Sequence, residues 1–317
     1  MLKKQKKFAD DGWAIWVDGD DTSTVYINDW VNPKGNSYVD LAIRIRGIKS
    51  SNSLHVYVPF AVSTDEIEDV SLLFDDRKNL QATFSAACIV DYKKNEHTSE
   101  IAYNGKTVDI VHISTLGYEI VSVADGTLIN ISFGEIQQFL DNDEAYLVWR
   151  MPHKTLDSIF KSYVDVGNVI GRLRDLLTTP VVSEKYGYSI RINEARLLPE
   201  QIIKIGMFHR QKLKKAVVTI SIDENYEFND ADCYRIRRLE ENLYEGFLPN
   251  EYSCQDVITY QWQQDHEDNN KGRFNFYYNI EKNSVSKSSM ILYMVVLMLV
   301  SVCANFMSSF LWNLVIR

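Results

Sequence analysis

The stretch MILYMVVLMLVSVCANFMSSFLWNLVI occupies residues 290–316, and Arg317 follows it. No side chain carries a charge from residue 288 to residue 316, about 29 residues or roughly 43 Å of helix at ~1.5 Å per residue. The hydrocarbon core of a bilayer is ~30 Å thick and needs about 20 residues. One span fits this length and two do not. The stretch therefore divides the chain into a body and a transmembrane helix, expected over residues 286–317. Lys271, Arg273, Lys282 and Lys287 precede it and only Arg317 comes after. Excess positive charge stays on the cytoplasmic side, so the body is expected in the cytoplasm and the C-terminus outside the inner (plasma) membrane, with Tyr293 and Trp312 as interfacial aromatics.

One face of this helix is unusual. Met294, Met298, Ser301, Asn305, Ser308 and Trp312 recur at alternating steps of four and three residues, a heptad spacing that places all six in one stripe. Hydrocarbon cannot satisfy the Asn305 amide, and leaving it unpaired costs several kcal/mol. Ser301, Ala304 and Ser308 are small enough for close approach of a second helix. The stripe reads in three ways: a plain anchor that tolerates one Asn, a seam between helices of an oligomer, or the lining of a pore built from several copies.

Working back from the tail, the body is rich in strand signals. WAIWV (13–17), TVYI, YVDLAIRIRGI and SLHVYVPF come first. AACIVDY (86–92), TVDIVHIS, YEIVSV, TLINISF and AYLVWR (145–150) follow. Asn104-Gly105 and Asp125-Gly126 are hairpin turn signals. The acidic segment STDEIED after Pro59 caps a short helix at Ser63 or Thr64. A helix is expected around 134–140. A second comes from the three- and four-residue steps of Ile159, Tyr163, Val166, Ile170, Leu173 and Leu177, over 155–177. YGYSIRI, AVVTISI, DVITYQW and RFNFYYNI make a second β-rich unit, with a helix favoured over 231–244 between them and a polar loop over 263–272. The expected fold class is α+β, a β-rich, sandwich-like cytoplasmic body with a single C-terminal transmembrane helix. Its expected domains are 1–150 (β-rich), 151–285 (α+β, with a basic segment) and 286–317. The basic start MLKKQKKFADDGW has no apolar run behind it, so no secretory signal is expected.

Chemistry is harder to find. The net charge is −9 and the hydrophobic share is 45%, which argues against a whole surface given to nucleic acid and against disorder. No phosphate-binding Gly-rich loop, zinc-protease helix or nucleophile elbow occurs. Cys88, Cys233, Cys254 and Cys303 form no CxxC pair, and His55, His97, His112, His153, His209 and His266 are scattered. His112 alternates within a strand. No cofactor, metal or enzymatic activity is expected, although Asp18, Asp20 and Asp21 leave a weak hydrolase option.

Charge is distributed unevenly. Residues 150–215 hold 13 Lys/Arg against 6 Asp/Glu, and residues 223–268 hold 3 against 13. Lys204, His209, Arg210, Lys212, Lys214 and Lys215 crowd the end of the basic half, and Arg235, Arg237 and Arg238 form a second group. Such a set suits the phosphates of nucleic acid, of a nucleotide signal or of lipid headgroups. It equally suits a solvated face turned toward acidic protein.

A β-rich cytoplasmic sensor carrying SLHVYVPF and an acidic turn, joined to a C-terminal MILYMVVLMLVSVCANFMSSF, resembles the membrane effectors of prokaryotic antiviral (anti-phage) defence operons. These include effectors paired with nucleotidyltransferases (the Hailong type) or with short Argonautes. The resemblance is architectural. It implies an effector held off by a nucleic acid, a nucleotide signal or a regulatory defence protein, whose release permeabilises the membrane as a homo-oligomer in lipid. The alternative is a tail-anchored scaffold or adaptor that holds a nucleic-acid- or protein-binding domain at the membrane.

Overall fold

The computed structural model describes residues 7–19, 22–84, 91–103, 106–161, 182–205, 212–228, 233–250, 252–265, 272–284 and 287–315. The first four expected strands are β1 (Lys7–Val17), β2 (Thr22–Trp30), β3 (Tyr38–Arg46) and β4 (Ser53–Val58). Helix α1 (Arg77–Phe84) precedes β5 (Asp91–Lys94), β6 (Thr98–Tyr103), β7 (Lys106–Val111), β8 (Tyr118–Val123), β9 (Gly126–Ser132) and β10 (Glu144–Pro152). Then come α2 (Lys154–Lys161), β11 (Val182–Ile192), α3 (Glu200–Ile205), β12 (Lys212–Asp223), β13 (Tyr226–Phe228) and β14 (Arg235–Arg238). The chain finishes with α4 (Glu241–Tyr244), β15 (Val257–Asp265), β16 (Phe274–Ser284) and α5 (Lys287–Val315).

The strands form a seven-stranded sheet, β13-β16-β11-β1-β4-β9-β8, and a nine-stranded sheet, β14-β15-β12-β2-β3-β10-β7-β6-β5. Alternation along the strands explains how they stack. In β1, Trp13, Ile15 and Val17 enter the same core as Val25 and Ile27 of β2, Ala216, Val218, Ile220 and Ile222 of β12, and Phe274, Phe276, Tyr278 and Ile280 of β16. Residues from both sheets thus share one buried cluster, and the sheets pack face to face as a sandwich. The intervening Ala14 and Trp16 meet Leu198 and Ile202 of α3 and its approach, which cover the outer face of the seven-stranded sheet. The outer face of the nine-stranded sheet is covered by Val70 and Phe74 of a 3-10 segment, Leu80 of α1, Tyr244 of α4 and the following Phe247 and Tyr252.

Three contacts run parallel: β1 with β11, β2 with β12, and β7 with β10. The first two place strands from residues 182–223 against strands from residues 7–30, so the boundary expected at residue 150 runs through both sheets. Gly12 is required where these parts meet, because a Cβ there would lie 2.6 Å from the Leu197 carbonyl oxygen.

The expected β-rich, sandwich-like α+β body followed by one C-terminal apolar helix matches this architecture. The helix expected over 231–244 is corrected: Arg235–Arg238 pair with Ile258–Gln261 as an edge strand, and helix is confined to Glu241–Tyr244. An edge of β15 that needed hydrogen-bond partners outweighed the local helical spacing. The helix expected over 134–140 is a single 3-10 turn, Gln137–Phe139. The β8–β9 turn is centred one residue early, on Ala124 (φ 52°) and Asp125. Ser63 does cap a short 3-10 turn, with its amide and hydroxyl both bonded to Glu66 Oε2 at 2.9 and 2.8 Å. The segment 162–177 of the long expected helix, residues 86–90, the Asn104-Gly105 turn and residues 266–271 of the polar loop lie outside the described residues.

Candidate functional site

Two places in the molecule invite a functional reading: a cavity on the outer face of the nine-stranded sheet, and α5. The cavity is about 270 Å³. Its floor follows from strand register. Arg235 of β14 pairs with Gln261 of β15, Gln261 with Thr219 of β12, and Thr219 with Asn28 of β2. These four side chains form one row across four strands, and all line the cavity. The neighbouring row is Arg237, Thr259, Ser221 and Trp30. In that row the Ser221 and Thr259 hydroxyls satisfy each other at 3.0 Å. Asn28, Thr219 and Gln261 are half-buried, and their side chains meet no hydrogen-bond partner among the described residues. Aromatic walls close the space. Tyr26 and Tyr146 lie with ring centroids 6.3 Å apart, Phe84 sits 4.9 Å from Tyr146, and Tyr244 and Phe247 complete the aromatic lining.

The floor continues into a buried ion pair. Asn28 pairs with Asp40, and Asp40 with Arg150. Arg150 donates from Nε and Nη2 to the two Asp40 oxygens at 2.6 and 2.9 Å, and from Nη1 to the Phe247 carbonyl at 2.8 Å. Trp30 Nε1 donates to Asp40 Oδ2 at 2.7 Å. Burial works against the Arg150 charge, but Asp40 outweighs it and the guanidinium pKa is raised. This fork anchors the loop that carries Phe247 and so shapes one wall.

The expected cationic residues do not share one surface. Arg235 and Arg237 edge the cavity, and Arg237 Nη2 donates to the Tyr244 hydroxyl at 3.0 Å. Arg238 points elsewhere and is ion-paired with Asp256 and, at 4.0 Å, Glu224. Lys215 lies 3.8 Å from Asp265 near the start of β12, where Lys214 forms an exposed bulge. Lys204 is on α3, on the opposite outer face of the sandwich, 2.8 Å from Glu200. His209, Arg210 and the Lys212 side chain lie outside the described residues.

The expected seam residues Met294, Met298, Ser301, Asn305, Ser308 and Trp312 are all in α5 and all exposed. From Met290 to Trp312 the helix is long and apolar enough to cross a membrane, and none of that window is buried against the body. Among the described residues nothing meets the Asn305 side chain. Only two residues separate the end of β16 from the start of α5.

Two further polar clusters are assembled by the fold from residues far apart in the chain. Asp20 and Asp21 lie outside the described residues, but Asp18 Oδ2 accepts from Ser53 Oγ at 2.7 Å and meets His55 Nε2 at 3.1 Å. Partial burial opposes the Asp18 charge, yet these two partners hold its pKa below the ordinary value. His55 Nδ1 meets Asn130 Oδ1 at 2.7 Å and the ring stacks on Trp16 at 4.9 Å, so the group ties the ends of β1, β4 and β9 together. Inside the sandwich, His153 lies between Asp29 (Nδ1, 2.6 Å) and Asp11 (Nε2, 3.1 Å), with the Tyr188 hydroxyl 3.3 Å from Asp29. Burial alone would lower the imidazole pKa; the Asp29 charge and the bonds to both carboxylates raise it to about 10. Burial raises the Asp11 pKa more than His153 lowers it. The partners of His153 are 142 and 124 residues away, beyond any spacing rule. His112, expected on a strand face, is buried just after β7 with Nε2 2.7 Å from Ser99 Oγ.

No family model matches this chain, and no curated protein matches it. Among solved structures, the zebrafish (Danio rerio) Fcho1 Mu homology domain with bound Eps15 peptide is 7% identical, over 89% of this chain and 82% of that one, with a TM-score of 0.12. A likeness at that level carries no argument. Fold and sites together define a two-sheet β-rich protein with one C-terminal apolar helix able to cross a membrane.

Proposed function

We propose that this protein is an oligomeric, non-enzymatic membrane effector: the sandwich body receives a signal in the cytoplasm, and α5 helices from several copies form or gate a pore in the inner membrane. The observation that carries the reading is Asn305. Its amide lies within an apolar helix, toward the outer end of the span, and has no partner in the described part of its own chain, so in lipid its partner is water or another copy. Met294, Met298, Ser301, Ser308 and Trp312 share its stripe, which supplies a weakly polar lining with apolar constrictions. The short β16–α5 connection supports coupling, since β16 is hydrogen-bonded to β11 along its whole length and a shift in the sheet reaches the helix directly. The positive charges before α5 support a cytoplasmic body, and the resemblance to antiviral operon effectors supports a role in anti-phage defence.

The test is dye or ion leakage from vesicles containing purified protein, with and without activating extract. Asn305→Leu is expected to insert normally and to abolish leakage. Undiminished leakage rejects the pore. If an unrelated apolar span replaces residues 288–317 with no loss of activity, the tail is an anchor and the protein a scaffold that holds a nucleic-acid- or protein-binding domain at the membrane.

A further inference from the structure

We infer that the cavity on the nine-stranded sheet binds a nucleoside phosphate, with the base over the polar row of the floor and the phosphate at Arg235 and Arg237. This rests on the reading of the body as a sensor and names the chemical class of its signal. Strands lie about 4.8 Å apart, so Asn28, Thr219 and Gln261 spread donors and acceptors over about 10 Å of one plane. Two amides and a hydroxyl, half-buried and without partners among the described residues, match the edge of a heteroaromatic ring, which offers both donors and acceptors. Tyr26, Phe84, Tyr146 and Tyr244 line the same space, and aromatic side chains are the surfaces on which bases stack.

The arginines determine the other half of the ligand. Residues 235 and 237 alternate along the edge strand and line the same cavity, about 7 Å apart. Arg238 between carboxylates and Lys215 beside Asp265 are neutralised by the protein. Neither Arg235 nor Arg237 meets a carboxylate among the described residues, in a chain whose net charge is −9. Guanidinium forks of this kind bind phosphate oxygens in pairs. Inorganic phosphate would leave the aromatic walls and amide floor unused. The volume, about 270 Å³, is at the small end of ligand sites and admits one nucleotide unit rather than a duplex. That unit is either a free nucleotide or the end of a single strand.

The experiment is calorimetric titration of the full chain in nanodiscs with the four common nucleoside monophosphates, their nucleosides, inorganic phosphate and a 5′-phosphorylated single-stranded tetranucleotide. At least one monophosphate is expected to bind about tenfold or more tightly than its nucleoside and than phosphate alone. Arg235→Ala/Arg237→Ala should weaken it by at least about tenfold, with only the modest fall in Tm that loss of the Arg237–Tyr244 hydrogen bond brings, and Arg235→Ala alone, at an exposed side chain, should weaken it with Tm unchanged. Gln261→Leu should weaken it while sparing the charge, and Lys204→Ala, on the far face, should not. A tetranucleotide that binds more tightly than the monophosphate, with the same arginine dependence, identifies a strand end; equal or weaker binding identifies a free nucleotide. Absence of binding by every monophosphate and the tetranucleotide, or binding unaltered in the double variant, overturns the inference. Binding is read without leakage, so Asn305→Leu protein that still binds nucleotide isolates a failure of the pore reading, and leakage without nucleotide binding isolates a failure of this one.

Discussion

The interior of the sandwich and the exposed helix α5 treat polar groups in opposite ways. Inside the body, His153 has a carboxylate on each ring nitrogen, and Arg150 fills its donors with Asp40 and the Phe247 carbonyl. Every one of these groups is almost wholly buried, and each pays its desolvation with partners from the same chain. On α5 the Asn305 amide finds nothing in the described residues. The difference teaches where each part finds its partners. The body's most deeply buried charged groups are satisfied within the chain, whereas the tail has an amide that only its surroundings can satisfy.

Breaking the body's side of this comparison should have the largest effect. Arg150→Met strands the Asp40 carboxylate at the foot of the cavity and is expected to destabilise the body by about 3–5 kcal/mol in denaturant titration. A smaller loss would mean that water reaches Asp40. Asp40→Asn combined with Arg150→Met removes both charges and should recover most of the loss.

A second test uses pH. The folded-state pKa of His153 is raised to about 10 from an unfolded value of ~6.5. The stability it contributes is therefore fully present below pH ~6.5 and is lost as pH rises toward about 10. Asp11, whose pKa is also raised, acts with the same sign, since its protonated form favours the folded state and that contribution is lost as pH rises through its folded pKa. Tm should fall across the window by an amount equivalent to a few kcal/mol, and His153→Gln should flatten that slope. A Tm that stays flat there would show that the imidazole is already neutral in the folded state.

The tail's side of the comparison predicts smaller energies and a different readout. Asn305→Leu should leave the body's Tm unchanged and weaken self-association in nanodiscs by about 0.6–2 kcal/mol, measured by the concentration dependence of crosslinking. Unchanged association would place Asn305 outside any helix seam. The smallest effect belongs to the surface. Lys154 meets Glu66 at 2.9 Å and, with the Ser63 cap, holds the Glu66 pKa down at about 2. Solvent reaches this pair, so Lys154→Ala should cost no more than about 0.2–1 kcal/mol.

Parts of this protein were legible without coordinates. The alternation in WAIWV, AVVTISI and RFNFYYNI marks strands with one buried face, because side-chain direction in a strand has period two whatever the partner. The segment containing Arg235 has a local spacing compatible with helix, and only the open edge of β15 makes it a strand. The cavity as a whole could not be read. Arg235 and Arg237 carried a signal through their charge. Asn28, Thr219 and Gln261 are ordinary polar residues on separate strands, aligned by one parallel and one antiparallel register.

The sequence by itself determined a β-rich body, a single long apolar helix after it and a polar stripe along that helix, because periodicity, charge-free length and residue chemistry are local properties of the chain. Tertiary structure alone decided which charges are neutralised and which stand beside a cavity, that strands from both halves share each sheet, and that His153 lies between two aspartates. Those outcomes depend on the register between strands distant in the chain, which hydrogen bonding and core packing select together and no local pattern encodes.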